Sequence, residues 1–421
     1  MLTTSRTALG MKVITVTIST RAARSKAAVD VVTTFFGRIQ ALAGDPGALD
    51  LTFGNPHELA LPGLSAAMRA QVDPQSVDWF AYKTSERRAQ EVVAAGLAAE
   101  LRLPFQPEDI AMTQGAFGAI QLALALLTDA GDEVVVPVPG WFCYEPMLHS
   151  TNLVPVRAPL DPVTFDLDVD AIAHALTPRT RIVIVNSPAN PTGRVYSKGT
   201  WDALGEVLDR ASRAHGRRIW LLSDEPYRRI RFDDVPFTSP AGSYRWTLVD
   251  YSFGKVLLSP GQRLGYLALS PTIPAAEREE LRAALMPLGL AIGWGFPDAV
   301  MQYAVPDLET LTIDMTELTR KRDRLYGALT DAGLEVTRPE GTFYLWARAP
   351  GDDAVAFCDA LAARGVYVMP GSLFDQPHHF RISLTATMPM IEEALPHILE
   401  VAEEFGSVPA ASPPAEISRG T

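Results

Sequence analysis

Cysteine is scarce in this chain: Cys143 and Cys358, the two in 421 residues, lie far apart and belong to no CxxC or Cys/His cluster. That excludes a disulfide framework, argues against a metal site and suits a reducing cytoplasm. Positive charge is also in deficit, with 37 Lys and Arg against 49 Asp and Glu, a net charge of −12. Non-specific nucleic-acid binding needs clustered Lys and Arg, so no nucleic-acid partner is expected. Nor does any apolar run reach the roughly 18 residues of a membrane helix. The nearest, LALALLTDAGDEVVVPV (122–138), is broken by TDAGDE, and no membrane partner is expected. Acid is missing from the start of the chain. Arg6, Lys12, Arg21, Arg24 and Lys26 precede the first acid, Asp30, among many Ser and Thr. That composition resembles an organelle transit peptide; the plainer alternative is an extended or misassigned start, with Met11 as an internal initiator.

The length suffices for two domains, or for one large α/β domain with a smaller partner. Five apolar runs read as buried strands: DEVVVPV (132–138), TRIVIVNS (180–187), RIWLLSD (218–224), TLVDYSF (247–253) and RLGYLALS (263–270). Helix-length segments such as 116–130 and 198–216 lie between them. This alternation predicts βαβ units and a mostly parallel sheet sandwiched by helices. Further on, 335–350 and 378–386 alternate as half-exposed strands do, with helices over 352–365 and 389–405. That pattern predicts a smaller α+β domain. The expected organisation is an N-terminal extension (1–27), an N-terminal part of the small domain (28–60), a large domain (61–304), its small C-terminal companion (305–405) and a Pro/Ser/Ala-rich disordered tail (406–421).

Three predicted strands end in unusual polar sequences: NSPANPTG (186–193), SDEPY (223–227) and SFGK (252–255). Successive strand ends open into one crevice of such a sheet. Taken singly, each has an ordinary explanation. NPTG makes a good turn, Asp224 can cap a helix, and Lys255 can be a solvated charge. Three ordinary explanations at three neighbouring strand ends are much harder to accept.

Together with GQRLG (261–265) and FRISLTA (380–386), in this order and spacing, these motifs make residues 50–400 resemble the pyridoxal-phosphate-dependent class I/II aminotransferases, which share the fold of aspartate aminotransferase. The resemblance implies a large domain around a seven-stranded sheet and pyridoxal 5'-phosphate as cofactor. Lys255 then holds the aldehyde as a Schiff base and later moves the α-proton. Asp224 keeps the ring nitrogen protonated, so that the ring can act as an electron sink. Asn190 and Tyr227 donate to the phenolate oxygen. The phosphate falls to the turn at Gly115, Ala116 and Phe117, where free N–H groups open a helix, with Ser252 and Arg263 completing the cradle. Trp141 stacks on the ring, Arg381 clamps the substrate carboxylate, and the backbone at Gly54 passes over the substrate. Cys143 is given no role, and that of Tyr144 stays open.

Two departures from the family pattern stand out. The segment WFAYKTSERRAQE (79–91) lacks the usual glycine about five residues after a tyrosine that reaches the neighbouring subunit's phosphate; Tyr82 is taken as that tyrosine. The family's serine before the lysine is replaced by Gly254. The function implied is amino transfer between an L-amino acid and a 2-oxo acid, by a cytoplasmic homodimer. Other reactions of the same cofactor, namely β- or γ-elimination, decarboxylation or oxygen-dependent oxidation, share the same residues and stay open as alternatives. A cofactor-sensing regulator would need a DNA-binding domain that the short N-terminus cannot form.

Overall fold

The computed structural model describes residues 17–42, 45 and 47–406, and the backbone of 4–6 and 12–14. The expected tail beyond residue 406 lies outside the described residues. Strands β1 (Thr4–Arg6) and β2 (Lys12–Ile14) pair antiparallel. Helix α1 (Thr20–Gln40) follows, capped by the Ser19 hydroxyl, which accepts from the N–H of Ala22. Part of the expected extension is therefore helix. Next come β3 (Leu49–Asp50), α2 (Pro62–Arg69) and α3 (Arg87–Leu101).

The strand–helix alternation then begins, with β4 (Ile110–Thr113), α4 (Gly115–Leu127), β5 (Glu133–Val138), α5 (Tyr144–Ser150), β6 (Val154–Pro159) and α6 (Val169–Ala175). It continues through β7 (Thr180–Asn186), α7 (Lys198–His215), β8 (Trp220–Asp224), β9 (Thr247–Ser252), the short α8 (Phe253–Val256) and β10 (Gly265–Leu269). These seven strands form one sheet in the order β4-β10-β9-β8-β7-β5-β6. Only β10 runs against its neighbours, β4 and β9. The expected mostly parallel sheet is therefore present.

Strands buried on both faces explain the near-continuous apolar runs. In β7, Val183 and Val185 pack into one core with Trp201 and Leu204 of α7. Ile182 and Ile184 point the other way and join Leu124 of α4 and Leu148 of α5. The ends of α7 are set locally: Ser197 accepts from the N–H of Thr200, and Gly216 closes the helix at φ +62°. The chain runs outward from β5 to β6 and returns inside β5 as β7. The strand order thus reverses there, and a crevice opens at the carboxyl ends of β5, β7, β8 and β9.

The remaining elements are α9 (Ala275–Ala291), α10 (Ala299–Leu308), α11 (Met315–Asp331), β11 (Val336–Thr337), β12 (Tyr344–Arg348), α12 (Ala354–Ala362), β13 (Val366–Tyr367), β14 (Met369–Pro370), β15 (His379–Ser383) and α13 (Met388–Phe405). Strands β11-β12-β15-β14 make an antiparallel sheet, and β13 pairs parallel with β3. Through that pairing Leu49 and Leu51 enter one core with Leu325 of α11, Phe357 of α12 and Ile398 of α13. Among the described residues no helix is long and apolar enough to cross a membrane.

Candidate active site

The crevice holds a cavity of about 320 Å³ into which three strand ends and the α4 turn deliver their polar groups. Gly54, Ala116, Phe117, Trp141, Asn190, Asp224, Tyr227, Ser252, Lys255, Arg263 and Arg381 all line it. Tyr82 does not. It is 85% exposed, with its ring 4.7 Å from Phe296.

Asp224 ends β8 and is 3% exposed. Its Oδ2 accepts from the hydroxyl of Tyr144, while Oδ1 is buried without a partner among the described residues. Burial pushes the Asp224 pKa up, against the pull of the Tyr144 hydrogen bond and the charge of Lys255. Beside it, in register on β9, stands Asp250, fully buried, with neither carboxyl oxygen hydrogen-bonded among the described residues. Burial drives the Asp250 pKa well up, and the adjacent Asp224 and Glu225 add to this. Two buried carboxyls side by side resist ionising together, and the cavity-facing Asp224 is the member favoured to carry charge, having the Tyr144 donor and the charge of Lys255 to stabilise it.

Lys255 lies on α8, with Nζ 5.7 Å from the centroid of the Tyr227 ring. The small residue before it has a local cause. A Cβ on Gly254 would sit 3.2 Å from both Pro260 Cα and Ser259 O, so a serine there would have to move backbone. This accounts for one of the two departures from the family pattern.

Arg263 reaches across to the start of α4. Gly115, at φ +72°, opens the helix, and a Cβ there would meet Arg263 Nη2 at 2.8 Å. Arg263 donates to Pro260 O at 2.7 Å, and among the described residues it forms no ion pair. At the opposite end Arg381, on β15, is 2% exposed and also lacks a carboxylate partner among the described residues. Its Nη1 donates to Asn190 Oδ1 and its Nη2 to Thr52 O, each at 2.8 Å, and its face lies 3.8 Å from the Tyr344 ring centroid. Nε is buried without a partner among the described residues. Burial draws the pKa of both guanidiniums down from the usual value; Arg381 is held out of water with no anion beside it, whereas Arg263 keeps exposure to solvent.

Asn190 is fixed through its own neighbours. Its N–H donates to Asn186 Oδ1 at 2.7 Å, and Asn186 in turn donates to Asp224 O at 2.8 Å. Since Asn190 Oδ1 accepts from Arg381, its amide NH2 is the group left to face the cavity. Trp141 is held edge-on by Phe117 and Tyr144, with ring centroids 4.8 and 5.2 Å away. Gly54 cannot be larger, because a Cβ would fall 2.4 Å from Phe343 and 2.8 Å from the Tyr344 hydroxyl.

Reading the sequence left Tyr144 without a role and did not single out Asn186, Asp250, Phe36 or Tyr344. Asn186 opens the NSPANPTG motif, and Tyr144 carried a weaker signal, three residues after Trp141 at the start of a helix. The thiol of Cys143 also faces the cavity, and burial pushes its pKa up to about 12, which keeps it neutral. Among the described residues no group of three or more His, Cys, Asp or Glu could hold a metal ion.

The donor set fits pyridoxal phosphate. Oδ1 of Asp224 is an orphaned buried acceptor for a ring N–H, the glycine turn of α4 beside an unpaired Arg263 suits a dianion, and Lys255 lies between them. Comparison with known proteins agrees. The chain is 29% identical over 405 residues to the aspartate/prephenate aminotransferase of Cereibacter sphaeroides, covering 90% of this chain and 97% of that one. It is 31% identical over 355 residues to a probable N-succinyldiaminopimelate aminotransferase of Mycobacterium tuberculosis, covering 82% and 87%. A solved aminotransferase structure from Eubacterium rectale matches with a TM-score of 0.85 at 27% identity, covering 93% of this chain and 100% of that one. Thermus thermophilus aspartate aminotransferase with maleate gives 0.77 at 26%, covering 92% and 100%. The family profile "Aminotransferase class I and II" matches residues 49–398, and the chain belongs to that family of pyridoxal-phosphate-dependent transferases, which move amino groups between amino acids and oxo acids.

Proposed function

We propose that amino transfer is carried by Lys255, Asp224 and Arg381, in a homodimer whose active sites lie near the subunit interface. The observation that carries the assignment is the charge balance of one cavity. An amine, a buried carboxyl and two guanidiniums without carboxylate partners among the described residues face the same space. Arg381, a buried cation without a carboxylate partner among the described residues, is costly unless a ligand supplies the anion, and the more exposed Arg263 stands open to one at the α4 turn. A phosphate at Arg263 and a substrate carboxylate at Arg381 would do so.

Pyridoxal phosphate, when bound, supplies an aldehyde that condenses with amines and a ring that accepts the electron pair left at the α-carbon. The protein does the rest. Lys255 Nζ, 5.7 Å from the centre of the Tyr227 ring, would take the α-proton and return it. Asp224 would keep a proton on the ring nitrogen, and Tyr144 holds Asp224 in place. Asn190 and Tyr227 donate to the ring oxygen. Arg381 fixes the substrate by its carboxylate, its buried Nε being a donor still to be used.

The interface reading rests on a patch of exposed aromatics. Trp79 is anchored in its own chain, stacked 3.8 Å from Tyr303 and donating to Gln71 O at 2.9 Å. Phe80 and Tyr82 stand out from it, and Phe296, Met286 and Leu290 are exposed too. Exposed aromatics of this kind are enriched at interfaces. Both cysteines are free, which suits the cytoplasm as the working compartment.

Borohydride reduction of the loaded enzyme and peptide mapping test the lysine: the pyridoxyl group should sit on Lys255, and a label on another lysine would overturn the assignment. Sedimentation should give a mass near twice 45.7 kDa. Tyr82→Phe should weaken cofactor retention without dissociating the dimer, since it removes one hydroxyl and little area. A fully active monomer would refute the interface reading.

A further inference from the structure

Once the cofactor is allotted its groups, the cavity has little charge left. Arg263 faces the phosphate turn, Lys255 the reacting carbon, and Arg381 the α-carboxylate. Among the described residues no other Lys, Arg or His lines the cavity. Arg157, in the neighbouring cleft behind α1, is already committed to Glu145 at 2.5 Å and to Asp375 at 3.5 Å. What remains at the mouth is aromatic. Phe36, in the last turns of α1, stacks on Phe53 with ring centroids 4.0 Å apart and an interplanar angle of 25°. Phe35 supports Phe53 edge-on at 5.9 Å, and Phe142 lines the same space. Val32 of the same helix is buried, yet Phe36 is left 36% exposed where it meets the cavity. An apolar side chain docked there would cover it, whereas the distal carboxylate of a dicarboxylate would lose water and gain no cation from the described residues.

We propose that the substrate of this site is an L-amino acid with an uncharged, apolar side chain of leucine or phenylalanine size, received by the wall that Phe36 and Phe53 form. The proposal rests on the aminotransferase reading and assigns the substrate class within it. Cys143, Tyr344 and Asn55 line the same cavity, and none of them is a cation that a second carboxylate could use.

The test uses the full-length loaded enzyme and a donor series of phenylalanine, leucine, alanine, aspartate and glutamate, with one oxo acid as acceptor. The expected kcat/KM for phenylalanine or leucine is at least about 100-fold above that for aspartate. Calorimetry with amine-free analogues gives a readout independent of turnover: 3-phenylpropanoate should bind at least about tenfold more tightly than succinate. Phe36→Ala should lower the phenylalanine-to-alanine kcat/KM ratio by about tenfold. Phe36→Arg should shift both series toward the dicarboxylates. A wild-type enzyme that prefers aspartate or glutamate and binds succinate more tightly overturns the proposal and leaves the aminotransferase reading standing. Tight 3-phenylpropanoate binding with no oxo acid formed from any donor would uphold the apolar site and sink the reading beneath it.

Discussion

Asp224 and Glu225 are neighbours in the chain and opposites in the fold. Both are fully buried at the end of β8, and strand alternation turns them to different faces of the sheet. Asp224 faces the cavity, with a Tyr144 donor, the charge of Lys255 and an unused Oδ1. Glu225 faces a closed interior, where its Oε1 accepts from Ser223 at 2.8 Å and Ser239 at 2.5 Å, and Arg228 lies 3.8 Å from Oε2. Burial raises its pKa to about 7, with Arg228 and the two serines pulling the other way. One carboxyl turns its free oxygen to a cavity where a ligand can complete it. The other turns its Oε2, also without a hydrogen bond among the described residues, to Arg228 in a closed interior, and bears on stability.

Three substitutions probe that division. Asp224→Ala should have the largest effect, a fall in turnover of at least about a thousandfold, or roughly 4 kcal/mol of transition-state stabilisation, on the chemical step. Turnover within tenfold of wild type would erase the distinction between the two acids.

Glu225→Gln should leave turnover within about tenfold and act on stability instead. The folded-state pKa of about 7 lies above the ordinary 4.5. Wild type is therefore favoured relative to the variant at low pH, and that advantage is lost as pH rises from about 4.5 through about 7. Chemical denaturation at pH 5 and pH 8 should show a difference between the two proteins that changes by on the order of 3 kcal/mol. A difference that does not vary with pH would mean Glu225 is ionised throughout.

The smallest effect belongs to Asp250→Asn. If Asp250 is the neutral member of its pair with Asp224, an uncharged replacement of the same shape should keep cofactor affinity and turnover within about threefold. A large change in either would show that the charge, and not merely the volume, of Asp250 matters to Asp224.

The sequence made the strands with polar ends legible because chemistry and burial coincide there: apolar runs of five to seven residues finish in residues that no core would choose. It did not show β4 or β6. The first, IAMT, is four residues long and follows directly on a short 3-10 turn, and the second, VPVRAP, is an edge strand whose two prolines hide its pattern. The reversed direction of β10 has no local signature at all. Residues singled out through motifs line one cavity, while those that meet them by a contact across the fold carried little signal in the sequence. Tyr144 meets Asp224 from 80 positions away, and Asp250 matters through its register with β8. Phe36 sits on a helix whose covering of the cavity depends on how α1 packs against α5.

The hydrogen bond from Arg381 to Asn190 joins the carboxylate end of the cavity to the group proposed to meet the ring oxygen. If a substrate carboxylate competes for that guanidinium, Asn190 loses an acceptor contact at the moment of loading, and its amide is freed to turn. The ring oxygen it serves would then sense whether the far end is occupied. Substrate arrival would be felt at the chromophore before any bond to carbon changes, as a shift in the visible spectrum produced by carboxylates that carry no amine.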